Sequence, residues 1–120
     1  VGAEIEFVSI HERETKLKKI ISQIQEYDNI LIDCPPALGL LTINGLVASN
    51  SVIIPLQCEF FALEGVSQLV KTIDRIKINL NPELGIRGVL LTMFDKRNKL
   101  SSQVDAEARK HFKNTSEVYT

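Results

Sequence analysis

Three short stretches hold the side chains best suited to chemistry. In Asp33-Cys34-Pro35-Pro36 a carboxylate follows the apolar run Ile30-Leu31-Ile32. An ionised carboxylate at the end of a buried apolar segment is costly unless something compensates it. A magnesium ion held through its water shell would do so, and so would the simpler role of capping a turn. A second stretch is Pro55-Leu56-Gln57-Cys58-Glu59. The third, Phe94-Asp95-Lys96-Arg97-Asn98-Lys99, carries three cations in four residues. Lys96, Arg97 and Lys99 suit phosphate contacts that read charge rather than base sequence. A solvated surface cluster is the other reading of such a knot.

Other residue types contribute less. Cys34 and Cys58 have no close histidine, so they lack the four closely spaced ligands of a structural zinc site. In the absence of a signal-peptide pattern, two reduced, half-buried thiols are expected. His11 and His111 belong to different helices, and neither has the partners of a catalytic triad. Glu64 and Gln68 read as polar-face positions of a helix.

These stretches need elements to position them. Ser9-Ile10-His11-Glu12 has the form of a capping box, and Leu17, Ile20, Ile21 and Ile24 recur at helical spacing, which predicts a helix over about 10–26. Ile30 to Asp33 predicts a strand buried on both faces, stopped by Pro35-Pro36. A helix is predicted over about 40–48 and a strand over 51–55. Leu63, Val66, Leu69, Val70, Ile73 and Ile76 mark a long amphipathic helix ended by Asn81-Pro82. Ile86 to Met93 predicts a further strand. Ser101 is expected to cap a last helix with Val104, Ala108 and Phe112 on its inner face. Ile5 and Phe7 alternate with Glu4 and Glu6, which suits a strand or a short helix.

Strands alternating with helices imply right-handed crossovers. The expected fold is α/β, a three-layer, mostly parallel sheet with flanking helices. In such sheets ligands bind beyond the carboxyl ends of the strands, so the three stretches are expected along one edge.

Composition is consistent with one globular domain. The chain has 120 residues, 44% of them hydrophobic and 24% charged. A formal net charge of -1 excludes a surface basic all over but leaves room for a local basic patch. No apolar run is long enough to cross a bilayer. The opening Val1-Gly2-Ala3-Glu4 carries no initiator Met. That is expected of a chain beginning inside a longer protein, or of one whose Met was processed off.

The string from Tyr27 to Asn44, with Ile30-Leu31-Ile32-Asp33-Cys34-Pro35-Pro36 and Gly39 within it, resembles the Walker B region of the ParA/Soj/MinD family of deviant Walker ATPases. Within that family it is most similar to the chromosomal ParA/Soj branch. Ser51 to Pro55 with Gln57 to Gly65 resembles the next block, Gly88 to Asp95 the third, and Gly2 to Glu6 the segment upstream. The likeness covers essentially the whole chain, in block order as well as content. It implies a P-loop NTPase-like fold, present in part: residues 1–120 would be a partial ParA-type ATPase domain. The family's Gly-rich phosphate loop with two lysines, and its Ile-Pro-Arg-Asn segment and final helix, have no counterpart here.

The resemblance implies a parent that binds ATP and Mg, forms a homodimer on ATP binding and binds DNA nonspecifically. Such a parent acts in chromosome or plasmid segregation with a ParB/Spo0J-type partner protein, in the cytoplasm on the nucleoid and without a membrane. By the same resemblance, Asp33 would lie on the magnesium and water side. Pro35, Pro36 and Gly39 would shape the switch that senses the γ-phosphate, and Thr92, Met93 and Asp95 would fall near the nucleotide base. Arg97 aligns with an arginine that the Soj branch uses on DNA, with Lys96 and Lys99 beside it. Two rivals are a MinD-like membrane-associated ATPase of division-site placement and an inactive truncated fragment.

Overall fold

The computed structural model describes residues 13–35, 38–113 and 116–120. The capping box at Ser9, the Ile5–Phe7 alternation, His11 and Pro36 lie outside them. A 3-10 turn, Arg13–Thr15, leads into α1 (Lys16–Ile21). There follow α2 (Leu40–Ala48), β1 (Ser51–Gln57), α3 (Ala62–Asn79), β2 (Gly85–Thr92), α4 (Lys99–His111) and β3 (Glu117–Tyr119). The described residues fall into two compact units. One is drawn from Val1–Asn50 and Thr72–Leu84, the other from Ser51–Lys71 and Gly85–Thr120.

The first unit centres on α2. Its helix buries Thr42, Asn44, Gly45, Leu46 and Val47, and the unit also buries Ile73, Ile76 and Leu84. Asn44 works as a buried staple. Its Nδ2 donates to the Leu40 carbonyl at 3.0 Å and the Arg13 carbonyl at 3.0 Å, and its Oδ1 accepts the Leu17 N–H at 3.2 Å. The entry to α1 is thereby fastened to α2. At the other end, Asn81 supplies donors to α2 carbonyls, which lack partners at any helix C-terminus. Its Nδ2 lies 3.2 Å from the Leu46 and Val47 oxygens and 2.8 Å from that of Ser49. Helix α3 closes with the Leu80 and Asn81 N–H groups both on the Ile76 carbonyl, and Pro82 follows.

Two expectations fail in this unit. Of the helix expected over about 10–26, the described residues are helical from Arg13 to Ile21 and not from Ser22 to Glu26. Ile20 and Ile24 are exposed, and a short helix holds only as far as its apolar stripe is packed. Ile30 to Asp33 forms no strand, and Leu31 is 91% exposed. A parallel strand needs a hydrogen-bonding neighbour, and among the described residues none pairs with this run.

The second unit is a parallel sheet, order β1-β2-β3, with its connecting helices. Val52 pairs with Ile86 but Ile53 with Gly88, so Arg87 is an extra residue, a bulge, on β2. Beyond it Ile54 meets Val89 and Leu56 meets Leu91, and all four are buried. Val66, Val104, Ala108 and Phe112 are buried in the same unit. β1 runs two residues past the predicted Pro55, and β2 occupies the predicted span within one residue at each end. β3 was not expected from the sequence. It lies beside β2, with the Tyr119 ring over Gly88, where an added Cβ would come 2.7 Å from Cε2. Ser116 Oγ donates to the Ile86 carbonyl at 3.1 Å.

Helix α4 starts earlier than Ser101. Asn98 is its cap and accepts the Leu100 N–H at 2.8 Å. Both residue types cap well, but Ser101 is buried inside the first turn. No helix among the described residues is long and apolar enough to cross a membrane.

Candidate functional site

The candidate residues occupy two places, one in each unit. The Asp33 segment is laid against α2 by two devices. A Cβ at Gly45 would lie 2.7 Å from the Cys34 Sγ and 3.4 Å from the Ile32 Cγ2, so glycine is what lets the segment approach. Thr42 Oγ1 donates to the Pro35 carbonyl at 3.4 Å. Gly39 is the cap residue of α2, in extended backbone, and its carbonyl accepts the Ile43 N–H at 3.1 Å. Asp33, Pro35, Gly39 and α2 are thus one local construction.

Asp33 itself is exposed. Desolvation therefore does not by itself demand a counter-ion, contrary to the expectation from its apolar neighbours. Among the described residues no group of three or more His, Cys, Asp or Glu could hold a metal ion. A lone exposed carboxylate such as Asp33 is compatible with magnesium held through water, and the remaining ligands would have to come from outside these residues. The Cys34 thiol beside it is free and half-buried. Burial, and then the Asp33 charge, push its pKa up.

The second place lies at the carboxyl ends of β1 and β2, which are neighbours, so these two loops share an edge as expected. Past the last ladder pair, the Cys58 N–H donates to the Thr92 carbonyl at 3.1 Å. Each strand is then followed by a residue in the left-handed region, Phe61 (φ 62°) and Met93 (φ 56°). That conformation costs a non-glycine residue roughly 1–2 kcal/mol. Phe60, Phe61 and Met93 are all exposed.

Asp95 is the best-held residue of the loop. Its N–H donates to Ser101 Oγ at 3.2 Å, its carbonyl accepts the Asn98 N–H at 3.0 Å, and its Oδ1 accepts the Arg97 N–H at 3.0 Å. Its carboxylate also takes the Arg97 side chain two-handedly, Nε to Oδ1 at 3.2 Å and Nη2 to Oδ2 at 3.3 Å. The guanidinium holds the Asp95 carboxyl below the usual range. Arg97, Lys96 and Lys99 are exposed. Burial pushes the Cys58 thiol up; a hydrogen bond with Ser101 opposes this, and the Asp105 charge adds to it. Asp105 in turn accepts from Arg109 Nε at 2.6 Å. His111 stands exposed at the end of α4, edge-on to Phe112.

Thr92, Met93, Asp95, Lys96, Arg97 and Lys99 therefore share one loop system, joined by Cys58. The Asp33 run does not end a strand of this sheet. Sequence reasoning missed Ser101 as the anchor of Asp95, Asn98 as the cap, and Asn44 and Asn81 as buried staples. Asn98 just ahead of a helical pattern was the one readable signal.

Comparison with known proteins gives a consistent picture. The AAA domain family model, AAA_31, matches residues 1–86. The chain is 55% identical over 113 residues to the chromosome partitioning protein ParA of Myxococcus xanthus, covering 93% of this chain and 40% of the relative. It is 55% identical to the sporulation initiation inhibitor protein Soj of Bacillus subtilis, covering 93% of this chain and 45% of the relative. The chain thus spans less than half the length of these curated relatives. Among solved structures, cobyrinic acid a,c-diamide synthase from Mycobacterium smegmatis is 39% identical with TM-score 0.86, covering 93% of this chain and 46% of that one. The same enzyme with bound ATP analog and magnesium gives 40% and 0.85, covering 91% and 45%. A plasmid partition protein from Borrelia burgdorferi is 26% identical with TM-score 0.70, covering 92% and 46%.

Proposed function

Since the chain belongs to the AAA_31 family of AAA domains, and within it to the ParA/Soj type, we propose that it is part of a MgATP-dependent partitioning ATPase acting in chromosome or plasmid segregation. The observation that carries this reading is the 55% identity to both a ParA and a Soj over 93% of the chain. In this reading the full-length protein dimerises on ATP and binds DNA nonspecifically on the nucleoid. A ParB/Spo0J-type partner stimulates its hydrolysis.

Asp33 would hold magnesium through one of the metal's waters. Pro35, Pro36 and Gly39 belong to the stretch that responds to the γ-phosphate, and the anchoring of Cys34 and Pro35 on α2 supports a coupled movement of that stretch and the helix. Thr92, Met93 and Asp95 line the base end. Lys96, Arg97 and Lys99 meet DNA phosphates, which their exposure supports. Bound magnesium nucleotide supplies the phosphates and the metal; this chain's own groups position and sense them. A second reading follows from the name of the 39%-identical neighbour, cobyrinic acid a,c-diamide synthase, a protein also solved with a bound ATP analog and magnesium. The higher identity to ParA and Soj ranks it below.

The test is Arg97→Glu in the full-length protein. DNA retention with ATP should fall, ATP binding should persist, and the slope of log affinity against log salt should become shallower by about one. Unchanged DNA retention would return Arg97 to an ordinary surface residue.

A further inference from the structure

We propose that Asp95 is an internal competitor for DNA phosphate at Arg97, lowering nonspecific DNA affinity by neutralising the guanidinium and occupying its Nε–Nη2 edge, one of the two-donor edges that a phosphate would use. The inference rests on the DNA-contact reading of this loop and adds to it a residue that sets its strength.

A carboxylate and a phosphate present the same pair of oxygens to a guanidinium, and two-handed pairing is the geometry that both prefer. Here that geometry is filled by Nε to Oδ1 at 3.2 Å and Nη2 to Oδ2 at 3.3 Å. The Arg97 side chain is 91% exposed and Asp95 47%, so a phosphate can reach the pair from solvent, and it can pair through Nε and Nη2 only in exchange for the carboxylate.

Most exposed pairs contribute little, because two long side chains must be held still. This pair is unusual in that one partner is already fixed. The Asp95 backbone is held by Ser101 and Asn98, and its Oδ1 is held by the Arg97 N–H. Only Arg97 has to be ordered. The loop carries three cations against this one carboxylate, so Asp95 removes the arginine from the patch while leaving Lys96 and Lys99 available. A patch weakened in this way can release and rebind DNA quickly, which suits binding that reads no sequence.

The experiment is a double-mutant cycle in the full-length protein with ATP and a random-sequence DNA duplex. Wild type, Asp95→Asn, Arg97→Ala and the double variant are measured over a series of salt concentrations. Asn keeps the oxygen that accepts the Arg97 N–H but loses the charge; Asp95→Ser is a second variant with the same logic. Asp95→Asn is expected to tighten DNA binding by about 1.5- to 5-fold, the range of an exposed ion pair. Its salt slope should steepen by about one. Arg97→Ala should cost more affinity in the Asp95→Asn background than in wild type. Equal cost in both backgrounds would overturn the competition while leaving Arg97 a DNA contact. No cost in either background would overturn the DNA-contact reading and this inference together.

Discussion

The Asn81 side-chain amide lies 2.8 Å from the Ser49 carbonyl oxygen, 32 residues earlier in the chain. The same amide faces the Leu46 and Val47 oxygens, so one buried side chain covers the end of α2. Asn81→Ala would leave buried carbonyls without a donor, a loss of about 1–3 kcal/mol. Asn81→Asp should be worse, since carboxylate oxygens would face carbonyl oxygens. Urea unfolding followed by circular dichroism checks both. A midpoint unchanged by Asn81→Ala would mean that water replaces the amide without penalty.

Gly45→Ala sets two effects against each other. Alanine favours a helix over glycine by about 1 kcal/mol. The new methyl would sit 2.7 Å from the Cys34 Sγ, and overpacking costs roughly 1–3 kcal/mol. A net loss is expected, recovered on adding Cys34→Ala. If Gly45→Ala alone is as stable as wild type, the thiol simply turns away and the segment carrying Asp33 is not held there.

Cys34 should react slowly with alkylating agents near pH 8, because burial and then the Asp33 charge raise its pKa and the thiolate is the reactive form. Asp33→Asn should speed the reaction, and an unchanged rate would remove the electrostatic cause. The sign for stability follows. With the folded pKa above the unfolded one, the stabilisation is complete below the unfolded thiol's pKa of about 8.5. It is lost as pH rises through the folded value, so alkaline titration should lower stability.

The 120-residue chain alone should bind MgATP weakly or not at all. Affinity for a triphosphate comes mostly from backbone N–H groups and a lysine gathered around the phosphates, and its sequence has no glycine cluster to form that cradle. Calorimetric titration decides the matter; tight, magnesium-dependent binding would require a site of another kind.

Much of this fold is legible in the residues. The bounds of α2 come out as predicted, and α3, β1 and β2 come out within one or two residues, because each has an unambiguous period and is bounded by Gly, Pro or Asn. What could not be read was relational. Ile30 to Asp33 has the composition of a buried strand, but a strand is a property of two segments, and this one has no ladder partner among the described residues. β3 is only three residues long, and its place depends on the bare surface that Gly88 offers to Tyr119. At the site, the cations of the 96–99 loop were visible from type alone. Their partial neutralisation by Asp95 was not, because it depends on a loop conformation fixed by Ser101, a residue that the sequence suggested as a helix cap.

The bulge at Arg87 acts as a phase buffer for side chains. Side chains alternate along a strand, yet Ile86 and Val89, an odd number of positions apart, lie on the same side as Val52 and Ile54, because the extra residue is absorbed outside the ladder. Deleting Arg87 would leave Ile86, Gly88 and Val89 in strict alternation, still opposite Val52, Ile53 and Ile54, with Val89 and Leu91 still facing the core. Losing Leu90 instead would turn one of those two buried side chains outward. The strand therefore tolerates a lost codon at Arg87 and not at Leu90.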